Sequence, residues 1–217
     1  MAKLVLFGAS GMIGQRTLAE ALYRGHQVTA VVRDPSKVTE QNDDLIVETG
    51  DITEAGTVTR VAEGADAVIA AVSRRGPGLD QTVAYRRVGE SLVEGLLALG
   101  EDAPPVVIVG GAGSLEVAPG QRLVDQPGFP DMYKGEALAH ADLLRWLRGI
   151  TDVKWSYLSP SAEIAPAERT GKFRVGGDEL LSDAEGKSFI SAEDFAIALV
   201  DEAESGAHIG RRFTVGY

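Results

Sequence analysis

The stretch Leu4-Val5-Leu6-Phe7-Gly8-Ala9-Ser10-Gly11-Met12-Ile13-Gly14 decides the fold. Four apolar residues in a row suit a strand buried on both faces, and Ile13, Thr17, Leu18, Ala21 and Leu22 then recur at the spacing of one helix face. Strand, glycine turn and amphipathic helix in that order open a βαβ unit. The spacing G-x-x-G-x-x-G has a physical logic. Gly8 permits a sharp turn, Gly11 removes a side chain where a pyrophosphate must approach the backbone, and Gly14 lets helix and strand pack closely. Amides at the helix start, from Ser10 through Met12 and Ile13, lack partners within the helix and are expected to face the phosphates.

Outward from this turn, β-branched runs alternate with stretches of helical period. Strands are expected at Lys3–Phe7, Gln27–Val32, Leu45–Glu48, Ala67–Val72, Pro105–Val109, Val153–Leu158 and Arg212–Val215. The expected fold is α/β: a Rossmann-type, doubly wound, mostly parallel sheet of about seven strands flanked by helices, forming a single NAD(P)-binding domain over residues 1–217. Gly25 and Gly100 stand where helices should end, and Ser191 is placed to cap the last helix, with Glu193 and Asp194 in its first turn. Two segments, Ser73–Gln81 and Ser159–Gly186, are rich in glycine, proline and charge. Residues 159–190 are expected to form a substrate-side lid, because an open α/β sheet binds its ligand beyond the carboxyl ends of the strands.

Composition narrows the function. Of 217 residues, 32 are acidic and 21 basic, a net charge of −11, and cysteine is absent. Disulfide frameworks, thiolate metal sites and cysteine nucleophiles are excluded. The acid excess argues against nucleic acid or an anionic membrane as partner, since both require basic surface. Wholly apolar runs such as Ala67 to Val72 are too short to span a bilayer, and the N-terminus lacks the pattern of a secretory signal. A cytoplasmic protein acting on a small molecule, monomer or homodimer, is expected. His26, His140 and His208 are too scattered for a metal site.

The second strand ends Ala30-Val31-Val32-Arg33-Asp34, about 20 residues after the glycine turn, where an acidic side chain selects NAD. Here Arg33 comes first, and its guanidinium can fork onto a 2′-phosphate, favouring NADP over NAD. Asp34 has two readings, a ribose ligand or a cap for the turn at Pro35. Asp51 likewise either accepts from the adenine amino group beside Ile52 or caps the following helix. The small Ala71 lets the cofactor cross the sheet edge.

Several motifs together carry a family resemblance: the Gly8–Gly14 turn, Val31-Val32-Arg33-Asp34-Pro35-Ser36-Lys37, Gly50-Asp51-Ile52, Val109-Gly110-Gly111-Ala112-Gly113-Ser114-Leu115, Arg169-Thr170-Gly171-Lys172-Phe173, and Arg212-Phe213-Thr214-Val215-Gly216-Tyr217. The whole chain resembles the atypical short-chain dehydrogenase/reductases, in the NAD(P)H-binding, NmrA-like branch with its NADH-flavin reductases and biliverdin reductase B. The resemblance implies a Rossmann domain, NADP, and reduction of a small planar acceptor such as a flavin or quinone. It also implies alternatives: an NADP-sensing regulator without catalysis, or an isomerase or dehydratase using bound NAD.

The chain departs from the wider superfamily at the proton-shuttling pair, a tyrosine followed four residues later by lysine. The +4 positions hold Gln27, Gly89, Ala137 and Ser161, and Tyr217 is terminal. Ser114, where related reductases keep a serine, is a candidate to hold a substrate carbonyl, or else serves its own turn. Tyr133 and His140 share a helical stripe about 10 Å apart along the axis, each a candidate proton donor but too far apart to form one dyad unaided, and Lys134, turned about 100° away, reaches either a cofactor ribose or phosphate or only water. Arg169 and Arg174 are either partners for a flavin phosphate or charges that keep a mobile loop solvated.

Overall fold

A computed structural model describes residues 1–74, 76 and 78–217. Arg75 and Pro77, in the stretch expected to be irregular after the fourth strand, lie outside the described residues. The first half of the chain alternates as its periodicity requires: β1 (Lys3–Phe7), α1 (Met12–Tyr23), β2 (Gln27–Val32), β3 (Leu45–Thr49), α2 (Ala55–Ala62), β4 (Ala67–Ala70) and α3 (Gln81–Leu97). Next come β5 (Val106–Val109), the short β6 (Glu116–Ala118) and β7 (Gln121–Arg122), and α4 (Asp131–Leu147). The remainder is β8 (Trp155–Ser159), β9 (Glu163–Ala165), β10 (Arg174–Gly176), β11 (Phe189–Ser191), α5 (Ala192–Ser205) and β12 (Arg211–Gly216).

One eight-stranded sheet runs β10-β12-β8-β5-β4-β1-β2-β3. Every pair in it is parallel except β10 with β12. The sheet therefore has one strand more than the apolar runs announce. That strand, Arg174-Val175-Gly176, is three residues long and largely exposed, and it joins β12 through its backbone. Such an edge strand has no buried face to impose a pattern on its sequence.

The central strands are buried on both faces, and alternate residues feed two cores. Val5, Phe7, Val68, Val106 and Trp155 meet α2, α3 and α4 on one side. Leu4, Leu6, Ala30, Ile69 and Val107 meet α1 and α5 on the other. The chain winds from β1 outward through β2 to β3, then returns to β4 on the opposite side of β1. At that reversal the loops after β1 and β4 part, which opens a crevice beyond the carboxyl ends of the strands.

Part of the segment expected to act as a substrate-side lid, residues 167–171, is bonded to α5. The carboxylate of Glu193 accepts from the Ala167 amide at 2.8 Å, and Oδ1 of Asp194 accepts from the Thr170 and Gly171 amides at 2.9 Å each. Asp194 is fully buried, and the Ser191 hydroxyl caps its helix by accepting from the Asp194 amide at 3.0 Å. These bonds fasten residues 167–171 to the first turn of α5 and leave no carboxylate of that turn idle.

Candidate functional site

The glycine turn is shaped by two close approaches. Gly8 has φ +86°, and a Cβ there would sit 2.3 Å from the Ala71 carbonyl oxygen of the neighbouring strand end. A Cβ on Gly14 would lie 2.0 Å from the Gly8 carbonyl oxygen, so no side chain fits between helix and turn. Gly11 differs: its Cβ would meet protein only at 3.5 Å, because its open side faces the crevice. Gly11 is also the N-cap of α1, and no side chain caps that helix end. The first amides of α1 are thus left to a ligand, and the exposed backbone at Gly11 admits one.

The crevice holds a cavity of about 220 Å³. Gly8, Ser10, Gly11, Arg33, Asp51, Ile52 and Ala71 line it, together with Ser73 and Arg74, which the sequence did not single out. Met12, Ile13 and Gly14 lie just behind the turn in α1, and Lys134 stands exposed on α4, away from the lining. A wider depression of about 720 Å³ follows the outer edge of the sheet past Glu40, Asp43 and Asp44. Its acidic rim is unsuited to phosphate.

Asp34 and Asp51 both serve turns. Oδ1 of Asp34 accepts from the Ser36 amide at 3.2 Å and its hydroxyl at 2.6 Å. Oδ1 of Asp51 accepts from the Thr53 amide and hydroxyl at 2.9 Å each. Burial raises the proton affinity of Asp51, but the Thr53 bonds and the positive fields of Arg74 and Arg33 outweigh it and hold the carboxyl below its ordinary range. Asp51 is therefore an ionised acceptor in the cavity lining. The donors and acceptors present fit a dinucleotide: bare amides for a pyrophosphate, a carboxylate and apolar Ile52 for a base, and cations for a further phosphate.

Beyond Ser73 the crevice runs onto a cluster that brings distant parts of the chain together. The Tyr85 hydroxyl on α3 donates to Oε1 of Glu136 on α4 at 2.7 Å and accepts from the Arg74 amide at 3.2 Å. The Ser73 hydroxyl lies 3.4 Å from the same Glu136 oxygen. The ring of Tyr85 packs on His140 at 4.1 Å between centroids. Behind it, the Tyr157 hydroxyl donates to the His140 carbonyl at 3.0 Å and also lies 3.1 Å from Nδ1 of His140. Since that hydroxyl has already committed its one hydrogen, the Nδ1 contact requires the hydrogen on Nδ1. Burial, followed by the Arg74 amide and the Glu136 carboxylate acting in opposite senses, leaves the Tyr85 phenol pushed up to about 12. Burial raises Tyr157 as well, so both phenols stay protonated at neutral pH.

The three candidates for proton or carbonyl chemistry are not brought together. Tyr133 is 47% exposed at the start of α4, whereas His140 is 7% exposed and held among Tyr85 and Tyr157. The Ser114 hydroxyl accepts from Arg212 at 3.2 Å, and Arg212 is in turn bound by Asp178. Arg169 bonds both oxygens of Glu20, at 2.8 and 2.9 Å, and Arg174 donates to backbone carbonyls of Ser182 and Tyr217. Sequence spacing had no means of finding Tyr85, Glu136 and Tyr157, because their partners are 51 and 17 residues away.

Comparisons with known proteins agree with this geometry. Residues 8–205 match the model of a family described as NAD(P)H-binding. A candidate exported protein from Burkholderia pseudomallei is 45% identical over 100% of both chains, with a TM-score of 0.87. A candidate epimerase from Bacteroides thetaiotaomicron is 39% identical, covering 100% of this chain and 97% of that one at a TM-score of 0.90. A candidate NADH-flavin reductase from Streptococcus pneumoniae is 32% identical, covering 100% and 99%, at 0.87. Among the described residues, no helix is long and apolar enough to cross a membrane.

Proposed function

Since the chain belongs to the NAD(P)H-binding family, within the NmrA-like branch of the atypical short-chain dehydrogenase/reductases, we propose that it reduces a small planar acceptor, a flavin or a quinone, with NADPH preferred over NADH. The observation that carries this reading is the crevice at the β1–β4 reversal, where an uncapped helix start, a bare Gly11 and two arginines face one cavity. When bound, the dihydronicotinamide supplies the hydride.

The chain's own residues have simpler tasks. Backbone amides of Ser10, Met12 and Ile13 receive the pyrophosphate beside the bare Cα of Gly11, whose own amide closes the turn onto the Gly8 carbonyl at 3.0 Å; Gly8 and Gly14 hold the turn, and Asp51, Ile52 and Ala71 border the adenosine. Arg33 takes the 2′-phosphate. On the acceptor side, Tyr133 is the open polar group at the head of α4, one turn before Glu136, which meets Ser73 at the cavity wall. His140 acts as a positioning residue there, fixing Tyr85 and through it the Glu136 carboxylate. The strap at residues 167–171 is held by α5. Alignment by these groups suits a hydride transfer without a tyrosine–lysine pair, because proximity and the cofactor carry the hard part of the reaction.

The test is oxidation of NADPH and NADH against FMN, FAD, riboflavin and a set of quinones. Stereospecific transfer of deuterium from labelled NADPH to one acceptor is the expected result, and tight cofactor binding without any transfer overturns the reductase in favour of a sensor. The absence of Tyr-x-x-x-Lys is the feature that favours that second reading. A reductase needs a steady supply of reduced cofactor, which places the protein in the cytoplasm. Recovery from the secreted fraction, as the name of the Burkholderia relative suggests, overturns that placement.

A further inference from the structure

β3 ends the sheet, paired with β2 alone, and reads Leu45-Ile46-Val47-Glu48-Thr49. Successive residues of a strand turn their backbone groups to opposite sides. The Asp44 carbonyl accepts from Val28 of β2 at 2.8 Å and the Gly50 amide donates to Val32 at 3.0 Å, so Ile46 and Glu48 also turn toward β2. Leu45, Val47 and Thr49 therefore turn outward. The Leu45 amide closes onto the Asn42 carbonyl at 3.1 Å, whereas the outward amides and carbonyls of Val47 and Thr49 meet no strand of the sheet. The side chains leave this edge open as well, with Ile46 61% exposed on one face and Val47 36% exposed on the other. An apolar edge of this kind is a template for another strand.

Charge decides which strand it takes. From Val38 to Thr59 the chain has no lysine, arginine or histidine. Glu40, Asp43 and Asp44 line the depression of about 720 Å³ along this edge, and the outward-turned Leu45 and Val47 line it with them. Among the described residues no cation pairs with any of these three carboxylates, whereas Glu48 within β3 is held by Arg60. A second copy would set the same carboxylates against its own, in a chain whose net charge is −11. Acidic residues thus bar a like-charged strand from the edge and attract a basic one.

We propose that β3 is a docking edge for an extended, cationic segment of a partner protein, which adds to the eight-stranded sheet beyond Val47. Main-chain bonds to Val47 and Thr49 supply the pairing, and lysines or arginines beside the 40–44 turn supply the selection. This docking does not depend on the cofactor reading above.

The test is titration of the full-length protein with the peptide Lys-Lys-Val-Thr-Val-Thr-Lys-Lys, read by affinity and by amide hydrogen exchange. The peptide should bind and slow exchange at Val47 and Thr49. Its counterpart with glutamate for lysine, and the lysine peptide methylated at its central backbone amides, should each bind at least about tenfold more weakly. Val47→Pro removes one outward amide without touching the β2 ladder, and should weaken the lysine peptide by about fivefold with the unfolding temperature near native. Asp43→Asn/Asp44→Asn should weaken it by roughly two- to tenfold at low salt, and salt near 1 M should erase that difference. If Val47→Pro fails to fold, the methylated peptide decides. Failure of the lysine peptide to bind overturns the proposal, and so does equal binding of the glutamate peptide. Binding that survives methylation and leaves exchange at Val47 and Thr49 unchanged reduces the edge to plain charge attraction and overturns strand addition. A dimer in sedimentation that Val47→Pro dissolves makes a second copy the occupant and overturns the cationic partner.

Discussion

Two regions of the molecule, the crevice and the 167–176 segment beside α1 and α5, treat the same residue type in opposite ways. At the glycine turn, Arg33 and Arg74 line an open cavity with no carboxylate against them among the described residues, whereas Arg169 is gripped by Glu20 and Arg174 by two backbone carbonyls. Deeper still, Arg212 is bound by Asp178 and reaches Ser114. Arginines whose donors are satisfied within the chain hold the fold together, and on the proposed function those left without a carboxylate at a concave surface are free to meet an anion. The contrast divides perturbations into those that damage ligand binding and those that damage stability, and each can be measured apart from the other.

Gly8→Ala should have the largest effect and strikes the open side. The added methyl must displace the Ala71 carbonyl oxygen, 2.3 Å away, while the backbone stays at φ +86°. The cost is about 2–5 kcal/mol, from overpacking at roughly 1–3 and the left-handed conformation at roughly 1–2. Thermal unfolding and NADPH titration should both show it. A variant with native stability and affinity would mean that the turn does not set the crevice. Tyr157→Phe attacks the closed side: the His140 carbonyl and its Nδ1 hydrogen both lose the one hydroxyl they share. Leaving such buried groups unpaired should destabilise the fold by about 1–3 kcal/mol, with cofactor affinity little changed in the remaining folded protein.

Arg169→Ala should cost about 1–2 kcal/mol, a modest figure because Arg169 is half-exposed and Glu20 keeps Arg24 at 2.9 Å. Its pH dependence is more telling. The Arg169 hydrogen bonds are the largest influence on Glu20, ahead of the opposing effect of burial, and they hold its carboxyl below the ordinary value of 4.5. A depressed carboxyl in the folded state contributes stability above its unfolded value, and that contribution disappears as pH falls through the folded one. Unfolding temperature should therefore fall as pH drops below 4.5, more steeply in the native protein than in Arg169→Ala. Equal slopes would detach Arg169 from Glu20. Arg33→Ala belongs to the open side and should reverse the pattern, weakening NADPH about tenfold, or about 1.4 kcal/mol, with stability nearly constant.

How much of this was legible in the sequence follows from how local each feature is. The glycine turn occupies one unbroken stretch, and its strand is buried on both faces, so periodicity and glycine spacing located both. The strand β10 escaped because three exposed residues joining an edge by backbone alone carry no pattern. The cluster at the inner wall escaped for a different reason. Ser73 meets Glu136 across 63 residues and Tyr85 meets it across 51, contacts that exist only after α3 and α4 pack together. Arg74 looked like one more charge in a glycine-rich loop, and only the missing acceptor at its buried Nε sets it apart. Spacing put Tyr133 and His140 on one helical stripe about 10 Å apart, and what it could not show is that packing leaves the first exposed and the second buried.

Ser114 gives the smallest expected effect and the sharpest test of the division. By position it invites a catalytic reading, since it follows β5 in a glycine-rich turn at the carboxyl edge of the sheet. Its hydroxyl instead accepts from Arg212 at 3.2 Å, its carbonyl oxygen lies 3.4 Å from the same guanidinium, and it is not among the residues lining the cavity. Arg212 retains Asp178 when that hydroxyl is removed, so Ser114→Ala takes one bond from a group that keeps its principal partner. The loss of stability should be about 0.5–1 kcal/mol, the net worth of an ordinary hydrogen bond. Hydride transfer and NADPH affinity should remain within about twofold, because a change under about 0.4 kcal/mol is all that such a factor represents. A drop of a hundredfold in turnover with stability unchanged would place Ser114 against the acceptor, and would move the line between the ligand-holding and fold-holding sides of the crevice to the far side of β5.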